Sequence, residues 1–220
     1  MNRYGYYGMW LMLTVCLAST VCKARAQAAA DYTTWLKVGV QHDVGKRLGL
    51  SGGLEWRTKD HVGLTDRLGL DIAAQYEALS FLKVGVGYEV HYRNRGEAGW
   101  KFRYRYHADG TLSAKWIRMK FALRERFQHT WNREEKEFRL RSRLKISYDI
   151  RHCKAEPYAS VEMYNGLGRG EGFGVARMRY RAGCTLPLFS ERWEADVFYC
   201  RQWEKDGRKN IFGIDCVYKF

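Results

Sequence analysis

Between residues 138 and 151 the chain alternates. Phe138, Leu140, Leu144, Ile146, Tyr148 and Ile150 take one set of alternate positions; Arg139, Arg141, Arg143, Lys145, Asp149 and Arg151 take the other. A period of two places successive side chains on opposite faces of an extended backbone, so this run is a β-strand with one apolar and one charged side. No helical period competes with it. The same asymmetry recurs from residue 32 to the last residue, in runs over 32–42, 46–58, 64–77, 81–93, 100–114, 117–129, 157–165, 175–186, 192–203 and 210–220. Such a chain is all-β. Glu125 interrupts the apolar set of its run, which predicts a bulge or a position at a boundary.

Alternation alone leaves open which face is covered by protein. Three features point the apolar face outward, into lipid. The runs have the length a tilted membrane-crossing strand needs. Aromatic residues gather toward strand ends on the apolar face, Trp56, Tyr76, Tyr92, Trp100, Trp193, Tyr218 and Phe220 with Trp35 nearby, as interfacial girdles do. Short turns alternate with longer polar loops. A soluble barrel of this many strands would need internal helices to fill it, and no helical stretch is present. The expected fold is therefore an antiparallel transmembrane β-barrel of 10–12 strands. Eleven runs can be counted, but a barrel with both ends on one side needs an even number. Twelve is favoured, with the missing half-strand near 27–34. Ten strands, or a parallel pairing of first and last, are the other solutions.

The N-terminus fits export. Arg3 precedes a short apolar core, Met9 to Cys22, and Ala24-Arg25-Ala26 has the small-x-small form of a cleavage site. The core is too short to cross a bilayer, so residues 1–26 read as a signal peptide and 27–220 as the barrel. Cleavage removes Arg3, Lys23 and Arg25 and no carboxylate from a chain of formal charge +14, which stays strongly basic. Basic exported proteins meet anionic surfaces or solutes, and export argues against nucleic acid as a partner. Cys153, Cys184, Cys200 and Cys216 lack metal-site spacing and are expected as free thiols. The glycines from Gly166 to Gly174 follow a strand but precede no helix, so they read as a turn, not a phosphate loop. No cofactor is expected.

The segments Leu123-Arg-Glu-Arg-Phe-Gln-His-Thr130, Leu140-Arg-Ser-Arg-Leu-Lys-Ile-Ser-Tyr-Asp-Ile150, Pro157-Tyr-Ala-Ser-Val-Glu-Met-Tyr-Asn165 and Gly213-Ile-Asp-Cys-Val-Tyr-Lys-Phe220 resemble domain-of-unknown-function family 2490, outer-membrane barrels common in Bacteroidetes. The resemblance covers essentially the mature chain. It implies a bacterial outer-membrane location and a barrel fold, and it implies no activity.

With the apolar face outward, Arg103, Arg105, Arg124, Arg126, Arg139, Arg141, Arg143, Arg177, Arg179 and Arg181 point into the lumen, with Arg118 beside them. Two uses stay open. The arginines can pair with Glu55, Asp71, Glu89, Asp149, Glu162, Asp196 and Asp215 into ladders that plug a narrow barrel. Surplus guanidinium can instead make an anion-binding or anion-selective, porin-like passage for small anionic solutes. The alternative class is an enzyme acting on lipid or lipopolysaccharide, for which inward His91, His107, Asp109, Ser51 and Ser113 are the available groups. An outer-loop scaffold or adhesin ranks below these because the loops are short. Expected partners are outer-membrane lipid and lipopolysaccharide, with the barrel-assembly machinery engaging the closing strand through Tyr218 and Phe220.

Overall fold

A computed structural model describes residues 30–133, 135–168, 174–188, 192–204 and 207–220. The signal-peptide reading and its cleavage point lie outside these residues. The described residues form eleven strands and a single 3-10 turn, Gly96–Ala98. The strands are β1 (Asp31–Val44), β2 (Leu48–Lys59), β3 (Leu64–Leu79), β4 (Leu82–Asn94), β5 (Trp100–Trp116) and β6 (Met119–Trp131), followed by β7 (Lys136–Tyr148), β8 (Glu156–Gly166), β9 (Gly174–Leu188), β10 (Trp193–Glu204) and β11 (Gly207–Lys219).

Each strand pairs antiparallel with the next, and β1 closes the barrel on β11. That seam is parallel, with Trp35 opposite Gly213 and Gln41 opposite Lys219. The twelve-strand expectation is thereby corrected. It rested on an even-number rule for walls in which all neighbours are antiparallel, and a parallel seam removes that requirement. The segment proposed to hide a further strand, 27–34, contributes the beginning of β1 from Asp31 onward; positions 27–29 fall outside the described residues.

Local chemistry explains three smaller departures. The break between the runs 100–114 and 117–129, at Lys115-Trp116, falls two residues later in the structure. Ile117 takes a left-handed φ of 55° there, so Ile117 and Arg118 belong to a two-residue hairpin and not to β6. β7 ends at Tyr148, so Asp149, Ile150 and Arg151 lie beyond the wall, and His152 turns the chain with φ 58°. Glu125 causes no bulge: β6 keeps its register with both neighbours, and the Ser142 hydroxyl on β7 donates to the Glu125 carboxylate at 2.7 Å.

The apolar face points out. Leu54, Ile72, Val86, Leu144, Val161 and Ile214 are all exposed. Among the described residues forty large apolar side chains are exposed and seven apolar side chains are buried, the reverse of a water-soluble domain. Left in water, that surface would cost on the order of tens of kcal/mol at ~25 cal/mol per Å².

The buried apolar residues Trp35, Tyr158, Phe198, Cys200 and Ile211 form one cluster on the inner wall beside the seam. Trp35 thus faces inward and is no part of an outer girdle, because it shares the alternation of Lys37. Gly213 makes the cluster possible. A Cβ there would stand 2.0 Å from Phe198 Cζ, so the ring lies flat across the space a side chain would take. Cys200 is buried in this cluster and Cys153 is exposed; all four described cysteines are unpaired.

Candidate anion-binding lumen

Inward positions are the polar half of each alternating strand, so register alone brings their side chains together. A belt of contacts follows the inner wall. The Arg57 guanidinium stacks 3.5 Å over Trp35 and pairs with Glu55 at 2.5 Å. Glu55 also holds Arg67 at 2.7 Å. Across Gly69, whose missing Cβ leaves room for the His91 ring, the next group is Glu89. It holds Arg105 at 2.7 Å and His91 at 2.9 Å, and His107 Nδ1 approaches it at 3.3 Å.

The Arg105 Nε donates to Thr130 Oγ1 at 3.1 Å, and the Gln128 amide donates to the same hydroxyl at 3.3 Å. Gln128 in turn accepts from Arg141 at 3.1 Å. Glu162 then gathers Arg141 at 2.9 Å, Arg124 at 3.2 Å and Arg179 at 3.7 Å, and accepts the Tyr164 hydroxyl at 2.8 Å. Arg179 donates to Tyr164 and, at 2.5 Å, to Gln202 Oε1. Its guanidinium lies 4.8 Å from the Trp35 ring, which returns the belt to its start. Every strand except β11 contributes.

Aromatic faces do part of what carboxylates do elsewhere. Arg141, Arg177 and Arg179 all lie within 5.1 Å of the Tyr164 ring. A guanidinium held over a ring gains cation–π attraction while its N–H edge stays free. So more arginines can crowd one wall than its carboxylates could hold.

Beside the belt is a cavity of about 490 Å³. Among the described residues fourteen lysine and arginine side chains line it against seven carboxylates, with Asp109 and Glu162 paired to lining arginines from behind, so the space carries a positive excess. Nine of the ten arginines expected in the lumen line it: Arg103, Arg105, Arg124, Arg126, Arg139, Arg141, Arg143, Arg177 and Arg179. Arg181 does not, and stacks 3.9 Å over Phe198 in the apolar cluster. Arg118 lies in a turn, away from the cavity. Tyr218 and Phe220 sit at the chain end, their rings 4.9 Å apart and edge to face. The Phe220 N–H donates to the Gln41 carbonyl at 3.0 Å.

The groups weighed for catalysis come only partly together. His107 approaches Asp109 at 3.7 Å and Glu89 at 3.3 Å, and both histidines serve Glu89. Ser51 lines the cavity and Ser113 is exposed, and among the described residues no serine hydroxyl hydrogen-bonds to either histidine. Two features escape a reading of the sequence: Glu162 and Glu89 as shared hubs, and Trp35 and Tyr164 as guanidinium platforms. Their one signal is membership of the inward set; which inward residues meet depends on register.

A closed wall, apolar outside and arginine-lined inside, defines a charge-filled β-barrel protein. Within that class the chain belongs to the family described as "Protein of unknown function (DUF2490)", whose profile matches residues 32–212. Among solved structures the chain is similar to the "Translocator domain of autotransporter NalP from Neisseria meningitidis", at 12% identity and a TM-score of 0.44, over 94% of each chain. A comparison with curated proteins finds no match.

Proposed function

We propose that the protein is an integral β-barrel of a bacterial outer membrane whose lumen binds small anions and passes them in preference to cations. The observation that carries this reading is the cavity lining, among the described residues fourteen cationic side chains against seven carboxylates, in about 490 Å³. In a confined space with low-dielectric walls, an excess of one charge attracts the opposite sign more strongly than it would in open water. The membrane half of the reading is supported by the forty exposed apolar side chains, which need a non-aqueous medium over them. Lipid and lipopolysaccharide are then the natural neighbours of the outer wall. The closing strand, ending on Phe220, is the natural handle for the assembly machinery.

The same arginines also brace the wall through the belt, so binding and architecture share side chains. Reconstitution in a planar bilayer under a KCl gradient tests the reading. A reversal potential of the sign that favours chloride is expected. A cation-favouring sign, no conductance together with no anion binding, or a chain that stays soluble without detergent would overturn it.

A further inference from the structure

Two successive cross-strand pairs on the inner face of β6 and β7 are arginine against arginine. Arg126 stands opposite Arg141, and Arg124 opposite Arg143. All four line the cavity. Like charges directly opposite each other in a ladder repel and destabilise it. Compensation inside the protein is incomplete. Arg126 pairs with Asp109 at 2.7 Å. Arg124 and Arg141 share one carboxylate, Glu162, which Arg179 also approaches. Arg143 makes no hydrogen bond or ion pair among the described residues. The Nε donors of Arg124, Arg141 and Arg143 are all buried without a partner. Those donors are closed off from the lumen; the groups open to a ligand there are the terminal N–H groups of Arg143, which lines the cavity and has no partner of its own among the described residues.

We infer that this square holds a tetrahedral dianion: orthophosphate, or the phosphate group of a small soluble phosphomonoester. The inference rests on the lumen reading above and names the ligand class. Four guanidiniums against two carboxylates leave room for two negative charges, which one phosphate supplies and one halide or monocarboxylate does not. The planar fork of arginine matches phosphate oxygens two at a time, and donors from adjacent strands reach a tetrahedral group from more than one direction. The site faces the lumen, so the anion arrives from water and not sideways from the bilayer.

The test uses the full chain folded in detergent. It is titrated calorimetrically with inorganic phosphate and, separately, with glycerol phosphate, at an ionic strength held constant with KCl. One saturable site is expected. Arg143→Gln should weaken it by about tenfold or more, the scale of one charge-assisted contact. Arg143→Lys should also weaken it, because the charge stays and the fork is lost. Arg143 has no ion pair to forfeit, so both variants should keep the gel mobility of the folded barrel. Saturation by glycerol phosphate alone would support the ester, and saturation by both would support the free anion as well. No saturable heat with either, or variants that bind like the parent, would overturn the site. A barrel that favours chloride in bilayers yet fails this titration loses the site and keeps the lumen reading; one with no anion preference loses both.

Discussion

The inner wall has two unlike halves. On β1–β4 glycine recurs at inward positions, at Gly39, Gly49, Gly53, Gly69, Gly85 and Gly87, and beside the shared Glu55 and Glu89 stand exclusive pairs: Lys37 with Asp71 at 2.7 Å, Arg93 with Asp66 at 3.3 Å. On β5, β6, β7 and β9 arginine recurs at inward positions, and Glu162 on β8 is shared among them. The bare half gives space and the crowded half reaches into it. At Gly87 a Cβ would stand 2.4 Å from His107 Cε1, so a side chain of β5 lies on the floor that β4 leaves open. A lumen can thus be narrow and still hold a cavity, provided that large residues are confined to one side. The two halves also differ energetically. Where pairs are exclusive each can be lost singly, whereas a shared carboxylate takes several arginines with it.

The sharpest way to break this contrast is Glu162→Gln. It leaves Arg124, Arg141 and Arg179 without their common carboxylate, and should cost about 3–5 kcal/mol, the range for removing one partner of a buried pair; urea titration of the folded barrel in lipid vesicles measures it. Next in size is a change outside. Leu144→Arg on β7 and Leu70→Arg on β3 should each cost about 2–4 kcal/mol if they meet hydrocarbon. Near-equal losses would confine the contrast to the inner face, and no loss in either would remove the membrane. Gly87→Val should cost about 1–3 kcal/mol by overpacking, and His107→Ala in the same chain should recover part of it. The smallest effect belongs to the bare half. A double-mutant cycle on Lys37 and Asp71, a partly exposed pair, should give a coupling of about 0–1 kcal/mol in the same unfolding assay. A coupling as large as the Glu162 loss would erase the difference between the halves.

Most of the fold was legible because strands with one apolar and one charged face write their orientation into a period of two. Leu140, Leu144 and Tyr148 against Arg139, Arg141 and Arg143 give both the strand and its two faces without any knowledge of neighbours. The closing strand was legible for the same reason, with Phe212 and Ile214 outward and Ile211 and Gly213 inward. What alternation cannot carry is pairing. Nothing in the spacing of Asp31–Val44 says that it lies parallel to Gly207–Lys219, so the strand count was resolved toward twelve by a rule that the seam does not obey. Register hid the site in the same way. That the lumen holds arginines could be read from the sequence. That Arg124 faces Arg143, that Glu162 serves three guanidiniums, and that Arg181 leaves the cavity for the Phe198 ring all depend on which rung meets which. Trp35 was misplaced because a tryptophan near a strand end suggests a bilayer interface, and only its parity with Lys37 turns it inward.

The parallel seam has a consequence for how the wall can be put into a bilayer. Because β1 and β11 run the same way, the chain enters the first strand at one rim and finishes at the opposite rim. In a membrane these rims face different compartments. Insertion of hairpins alone would leave both termini of the wall on one side, so here an unpaired strand end must be carried across before the last two neighbours can zip. Labels attached at the two termini of the wall should accordingly be reached by reagents from opposite faces of the same cell envelope.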